Sequence, residues 1–199
     1  MRIHSKRPSP LFCVLALVTA AGVCGCGAST ALTGEKLDPV TSASISYSEQ
    51  PLVFYRDVSG RAALEKDFVY VAPIAVNRGG DYRYYIWLGI WTVSEEASTD
   101  ATRDGFESIV LIADGEPLQL EITSWTIDAI GASEPVYSKP FASAADAYYE
   151  LTFDQLRPLA EANYLRLLVG GNALDMFEPW DDQRRGKAAL HEFIDGPAY

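Results

Sequence analysis

Beyond residue 26 the chain has no cysteine, and its only histidine there is His191. Cys13, Cys24, Cys26 and His4 all lie at the N-terminus. This distribution excludes a disulfide scaffold, a zinc ribbon and a cysteine nucleophile from the body of the protein. Basic clusters are equally scarce. The densest, Arg184, Arg185 and Lys187, sits directly behind Asp181 and Asp182, so the footprint that releases counterions from nucleic-acid phosphates is missing. No G-x-S-x-G elbow, P-loop or dinucleotide fingerprint occurs. What is present in quantity is apolar: hydrophobic residues make up 48% of the 199, a globular rather than a disordered or fibrous composition.

The N-terminus reads as an export signal. Arg2, Lys6 and Arg7 form a positive region, followed by the apolar stretch Leu11 to Val23 of 13 residues. That stretch falls short of the roughly 20 residues that span a hydrocarbon core, and it ends in small residues rather than a basic stop-transfer cluster. Its last four residues, Val23-Cys24-Gly25-Cys26, resemble the lipobox of bacterial lipoproteins. The resemblance implies a signal peptide of residues 1–25 and lipidation of Cys26, including palmitate-type acylation. With Gly27 rather than Asp in the following position, it implies sorting to the outer membrane of a Gram-negative cell. Two alternatives stand beside it. Cys24 is a competing acceptor that would place bulky Val23 at −1, and an ordinary secretory peptide would be cleaved between Ala20 and Gly25. Two or three acyl chains hold a protein durably, since each buried methylene contributes roughly 0.8 kcal/mol.

Removal of the signal leaves 13 basic against 27 acidic side chains, a net −14. An acidic body gains nothing from an anionic lipid surface, so the lipid itself must supply the anchoring. Residues 26–41 are small and polar without apolar periodicity, and read as a flexible tether. Residues 42–199 are long enough for one domain with a substantial core.

Period-two alternation dominates that domain. Strands are expected at Ser42–Ser48, Pro51–Arg56, Phe68–Val76, Tyr82–Val93, Ile109–Ala113, Leu118–Ile127, Tyr148–Leu151 and Tyr164–Val169. Pro73 marks an edge or a bulge, because proline cannot donate to a ladder. Asn77-Arg78-Gly79-Gly80-Asp81 and Asp114-Gly115-Glu116-Pro117 carry hairpin-turn chemistry. Two helical patterns interrupt the strands. Thr152 and Gln155 have capping-box spacing ahead of a buried stripe of Leu156, Leu159 and Ala160. A second helix runs from about Asp181, capped by Asp181 or Asp182, to Ile194, and Gly196-Pro197 stops it. The expected fold is mainly β, an antiparallel β-sandwich or curled sheet with two short helices, with α+β as the alternative.

The densest chemical feature is the aromatic strand Tyr82–Trp91. Arg83, Tyr85, Trp87 and Trp91 project from one face and would make a stacking or docking platform if exposed. The alternative is a central strand with both faces covered. Asp181-Asp182-Gln183-Arg184-Arg185-Gly186 with Glu192 matches a calcium loop at its first, sixth and twelfth positions, but places a cation at the fifth and reads better as a helix start. His191 lies on that helix beside Glu192 without a nucleophile elbow, and no metal site or cofactor follows from the sequence. Glu95, Glu96, Asp100 and Asp104 crowd one polar loop.

These features point to an outer-membrane-anchored envelope lipoprotein, periplasmic or surface-facing. It would act as a non-enzymatic binding or accessory domain, with an envelope protein as partner and no nucleic acid. The alternative is a carbohydrate- or peptidoglycan-binding module, or a hydrolase using two carboxylates roughly 5–10 Å apart. Exposure of Tyr85, Trp87 and Trp91 separates the sugar platform from the rest.

Overall fold

The turn signals and alternation produce a single sheet that curls back on itself. In the computed structural model, residues 31–58, 66–91, 102–139, 143–171 and 175–196 are described. The strands are β1 (Thr33–Leu37), β2 (Ser44–Ser48), β3 (Leu52–Asp57), β4 (Lys66–Arg78), β5 (Asp81–Trp91), β6 (Ser108–Ala113), β7 (Glu116–Glu121), β8 (Ala145–Leu151), β9 (Leu165–Val169) and β10 (Met176–Pro179). Two helices, α1 (Phe153–Glu161) and α2 (Arg184–Asp195), and a short 3₁₀ turn at Asp128–Ile130 complete the described elements. Of the described residues 48% are strand and 19% helix, an antiparallel curled half-barrel rather than α+β.

Every strand pair among the described residues is antiparallel. The sheet runs β7-β6-β9-β10-β3-β4-β5-β8, with β2 and β1 extending from β4 on the same edge as β3. β2 and β3 thus lie end to end along β4, pairing with Ile74–Asn77 and with Lys66–Val71. The gap falls opposite Ala72-Pro73. Proline lacks the amide a ladder needs, and here it occupies the position where that edge is unpaired. Pro73 therefore marks a break in its neighbour, while β4 itself is a central strand.

Both expected hairpins form on two-residue turns. Gly79 and Gly80 take φ of 61° and 98° between the paired Arg78 and Asp81, and the Asn77 side chain accepts the Gly80 amide at 2.8 Å. Asp114 and Gly115 take φ of 48° and 96° between β6 and β7. These left-handed pairs match the twist of the flanking strands. Beyond Glu121 the expected longer strand ends, and the chain crosses to the far edge of the sheet. Ser124 bridges Tyr148 on β8: the Thr123 amide donates to Tyr148 O and the Tyr148 amide to Ser124 O, both at 2.8 Å. This short contact joins the two ends of the curl.

Period-two alternation sorts the side chains into two cores. Inward-facing Phe54, Val69, Val71, Leu88, Leu111 and Leu167 meet Leu156, Leu159 and Ala160 of α1 and Leu190 and Phe193 of α2. The outer side of β2, β4, β5 and β8 forms a second core of Ile45, Ile74, Tyr85, Trp87 and Tyr148. Residues 127–137 lie across it as a strap, contributing Ile130 and Ala132.

Three expectations are corrected. Thr33–Leu37, within the expected tether 26–41, is strand β1 paired along its whole length with β2, and the compact unit begins at Ala31. β10 has no counterpart among the expected strands. The second helix starts at Arg184 after Gln183 in the left-handed region, while Asp181 and Asp182 accept the amides of Gln183 and Arg184 in the preceding turn. Residues 1–25 with Cys13 and Cys24, the expected lipidation position Cys26, and Glu95, Glu96 and Asp100 lie outside the described residues.

Candidate binding surface

The expected platform on β5 does not form as a unit. Tyr85 and Trp87 are 2% and 6% exposed, buried beneath the strap. Trp87 stacks on Tyr137 with centroids 4.0 Å apart, and its indole N–H donates to Asp146 Oδ1 at 3.0 Å. The other oxygen of Asp146 receives Lys139 Nζ at 3.1 Å. Burial pushes the Tyr85 hydroxyl up in pKa, a change that neighbouring Glu150 reinforces and Arg83 opposes. The strand has both faces covered over this stretch, because the sheet curls on one side and the strap crosses the other.

Arg83 is exposed and lines a shallow cleft of about 220 Å³ with Arg78, Asp81, Tyr85, Asp128 and Gly131. Both cations there are already engaged. Arg78 donates to Gly131 O at 2.6 Å, and Arg83 contacts the Tyr85 hydroxyl and lies 3.9 Å from Asp81. A second open groove, about 280 Å³, runs between β1 and the two helices. One of its two carboxylates, Glu192, accepts the amides of Leu32 and Thr33 and so ties the start of β1 to α2. His191 is exposed on α2. Asp67 and Asp175 converge on Arg56 at 3.1 and 2.5 Å, with the guanidinium over Phe177. This is an ion-pair network at one end of the curl.

Trp91, the fourth expected residue, belongs to a different surface. It is half-buried against Tyr70, centroids 4.1 Å apart. In register it opposes Phe68, which opposes Tyr55, which opposes Glu178. These four positions form one rung on the outer face of β5, β4, β3 and β10. At the end of β10 the chain turns and lays Trp180 across the rung. Trp180 is 50% exposed, yet its ring is held edge-to-face by Tyr55 at 5.3 Å and Phe68 at 5.1 Å, and its amide donates to Val53 O at 3.0 Å.

Polar groups rim this aromatic surface. Tyr164 is 51% exposed and donates its hydroxyl to Glu178 Oε2 at 2.6 Å. That bond to a carboxylate, with partial burial, raises the Tyr164 pKa, so the phenol stays a donor throughout neutral pH. Lys66 Nζ lies 4.3 Å from the Tyr55 ring centre and pairs with Asp57. Sequence reading identified Trp91 but missed Trp180 and Tyr164, which lie beyond the ends of strands and become neighbours only through β10. Their signal was the aromatic content of the short runs around 164 and 177–180.

No protein-family model, curated protein or solved structure matches the chain.

Proposed function

We propose that the protein is a lipid-anchored, non-enzymatic binding domain of the bacterial cell envelope. It would be held in the outer membrane through Cys26 and present the Trp180–Tyr164 surface to its partner. The observation that supports the binding role is the immobilisation of a half-exposed tryptophan. Leaving so much indole in water forgoes burial energy, and fixing it between two rings beforehand removes most of the ordering cost of later contact. Aromatic side chains at such positions dominate recognition energetics. The anchoring half of the reading rests on the Val23–Cys26 sequence alone.

The anchor is tested by fractionation and acyl labelling. The wild type should sediment with outer membranes and incorporate labelled palmitate, and Cys26→Ala should do neither. Membrane retention and labelling of the Cys26→Ala variant would overturn the assignment of the acceptor.

A further inference from the structure

We propose that the outer aromatic surface takes a neutral oligosaccharide laid across the strands. The inference deepens the binding-domain reading and rests on it. Size favours a sugar over a protein. Half of the roughly 150–250 Å² that an aromatic side chain can bury leaves about 200 Å² from Trp180 and Tyr164 together. The half-buried Tyr55 and Phe68 enlarge this only modestly, so the exposed aromatic area among the described residues stays well below the roughly 800 Å² per partner of a standard protein interface.

Chemistry points the same way. A pyranose ring has apolar C–H faces, which stack on an aromatic face, and an equatorial girdle of hydroxyls, which need donors and acceptors at the rim. Trp180 supplies the face. Tyr164, Glu178 and Lys66 supply the rim, with the Tyr164 hydroxyl and Glu178 carboxylate fixed against each other at 2.6 Å. The rung from Trp91 through Phe68 and Tyr55 to Glu178 crosses four strands, roughly 14 Å at the spacing of neighbouring strands. This is the length of a short oligosaccharide rather than one sugar. At the patch Lys66 offsets Asp57 and Arg166 stands near Tyr164 and Glu178, so these groups nearly balance. That balance suits a neutral chain better than a phosphorylated or uronate-rich one on a body of net −14 after removal of the signal.

The test titrates β-linked N-acetylglucosamine oligomers and neutral glucans into detergent-solubilised full-length protein, read by calorimetry and tryptophan fluorescence. The wild type should bind at least one of them saturably. Trp180→Ala should weaken that binding about tenfold or more. Tyr164→Phe, which keeps the ring and loses the hydroxyl, should weaken it less, and Tyr82→Ala outside the patch should not change it. Melting curves establish that each variant is folded, and Trp180→Leu replaces Trp180→Ala if the latter does not fold. Absence of binding by the wild type, unchanged affinity on loss of Trp180, or preference for a phosphorylated glycan would each overturn the proposal. A photo-crosslinker at position 180 in cells separates the two levels. A protein adduct there, without oligosaccharide binding, removes the saccharide and leaves the binding domain. Neither adduct nor saccharide removes both.

Discussion

Gly89 and Trp87 show how much one missing Cβ decides. The Trp87 indole leans along β5 over Gly89, and a Cβ at position 89 would lie 2.6 Å from its ring carbons. Gly89→Ala must therefore displace the indole from Tyr137 and Asp146, an overpacking cost of about 1–3 kcal/mol. The expected result is a fall in melting temperature of several degrees with loss of the near-ultraviolet Trp signal, and an unchanged melt would refute it. Asp38 plays the corresponding polar role. It is fully buried, and burial alone would raise its pKa. Hydrogen bonds from the Ser133 and Thr41 amides and hydroxyls outweigh that and hold it well below 3.8. Because the folded value lies below the unfolded one, its contribution is complete above 3.8 and is lost as pH falls below that. Asp38→Asn should thus destabilise at neutral pH and show a shallower acid loss than the wild type. Parallel acid melting profiles for the two proteins would contradict this.

Elements were legible where local chemistry and tertiary demand agree. The capping box forms as its spacing requires, with the Thr152 amide on Gln155 Oε1 at 2.8 Å, and α1 buries Leu156, Leu159 and Ala160 as the pattern indicates. β1 and β10 were illegible because neither shows an apolar period, each for its own reason. Thr-Gly-Glu-Lys-Leu has no apolar alternation because it is an edge strand held by backbone pairing to β2 and by Glu192. Met-Phe-Glu-Pro is too short to show a period and is fixed by neighbours on both sides. α2 carries a testable close approach. A Cβ on Gly186 would meet Leu52 Cδ2 at 2.8 Å and Leu52 backbone atoms at 3.2 Å. Alanine gains roughly 1 kcal/mol of helix propensity over glycine, but forcing α2 from β3 costs about 1–3 kcal/mol. Gly186→Ala should therefore be net destabilising in chemical denaturation, and a more stable variant would show that α2 shifts freely.

Among its described residues, the compact unit that begins at Ala31 is a curl closed at one seam and covered on one outer flank. The seam depends on the few bonds between residues 123–124 and β8, whereas β4 and β5 pair continuously from Phe68↔Trp91 to Arg78↔Asp81. Opening a short contact exposes little core, so it should precede global unfolding. In native-state hydrogen exchange the amides of Thr123 and Tyr148 should exchange ahead of those of Val71 and Leu88. Equal protection at both places would mean that the seam is part of the global unit. The strap follows directly from the seam: having crossed to β8, the chain must run over β5 and β4, which buries Tyr85 and Trp87. The other flank, over β3 and β10, keeps its aromatic residues at the surface.

The sequence by itself determined the elements whose causes are local: the two glycine-bearing turns, the alternating strands between them, the capped helix, and the mainly β class. It also carried the charge and the Val23–Cys26 pattern, which depend on nothing folded. Tertiary structure decided which aromatic residues are exposed. Alternation assigns a side chain to one of two faces, but not whether another segment covers that face. Tyr85, Trp87 and Trp91 share a face of β5, yet the strap lies over the first two, while Trp91 joins a surface completed by Trp180 and Tyr164 from the far end of the chain. Only pairing between strands distant in sequence brings these residues together, so the candidate site was written in the fold rather than in any contiguous motif.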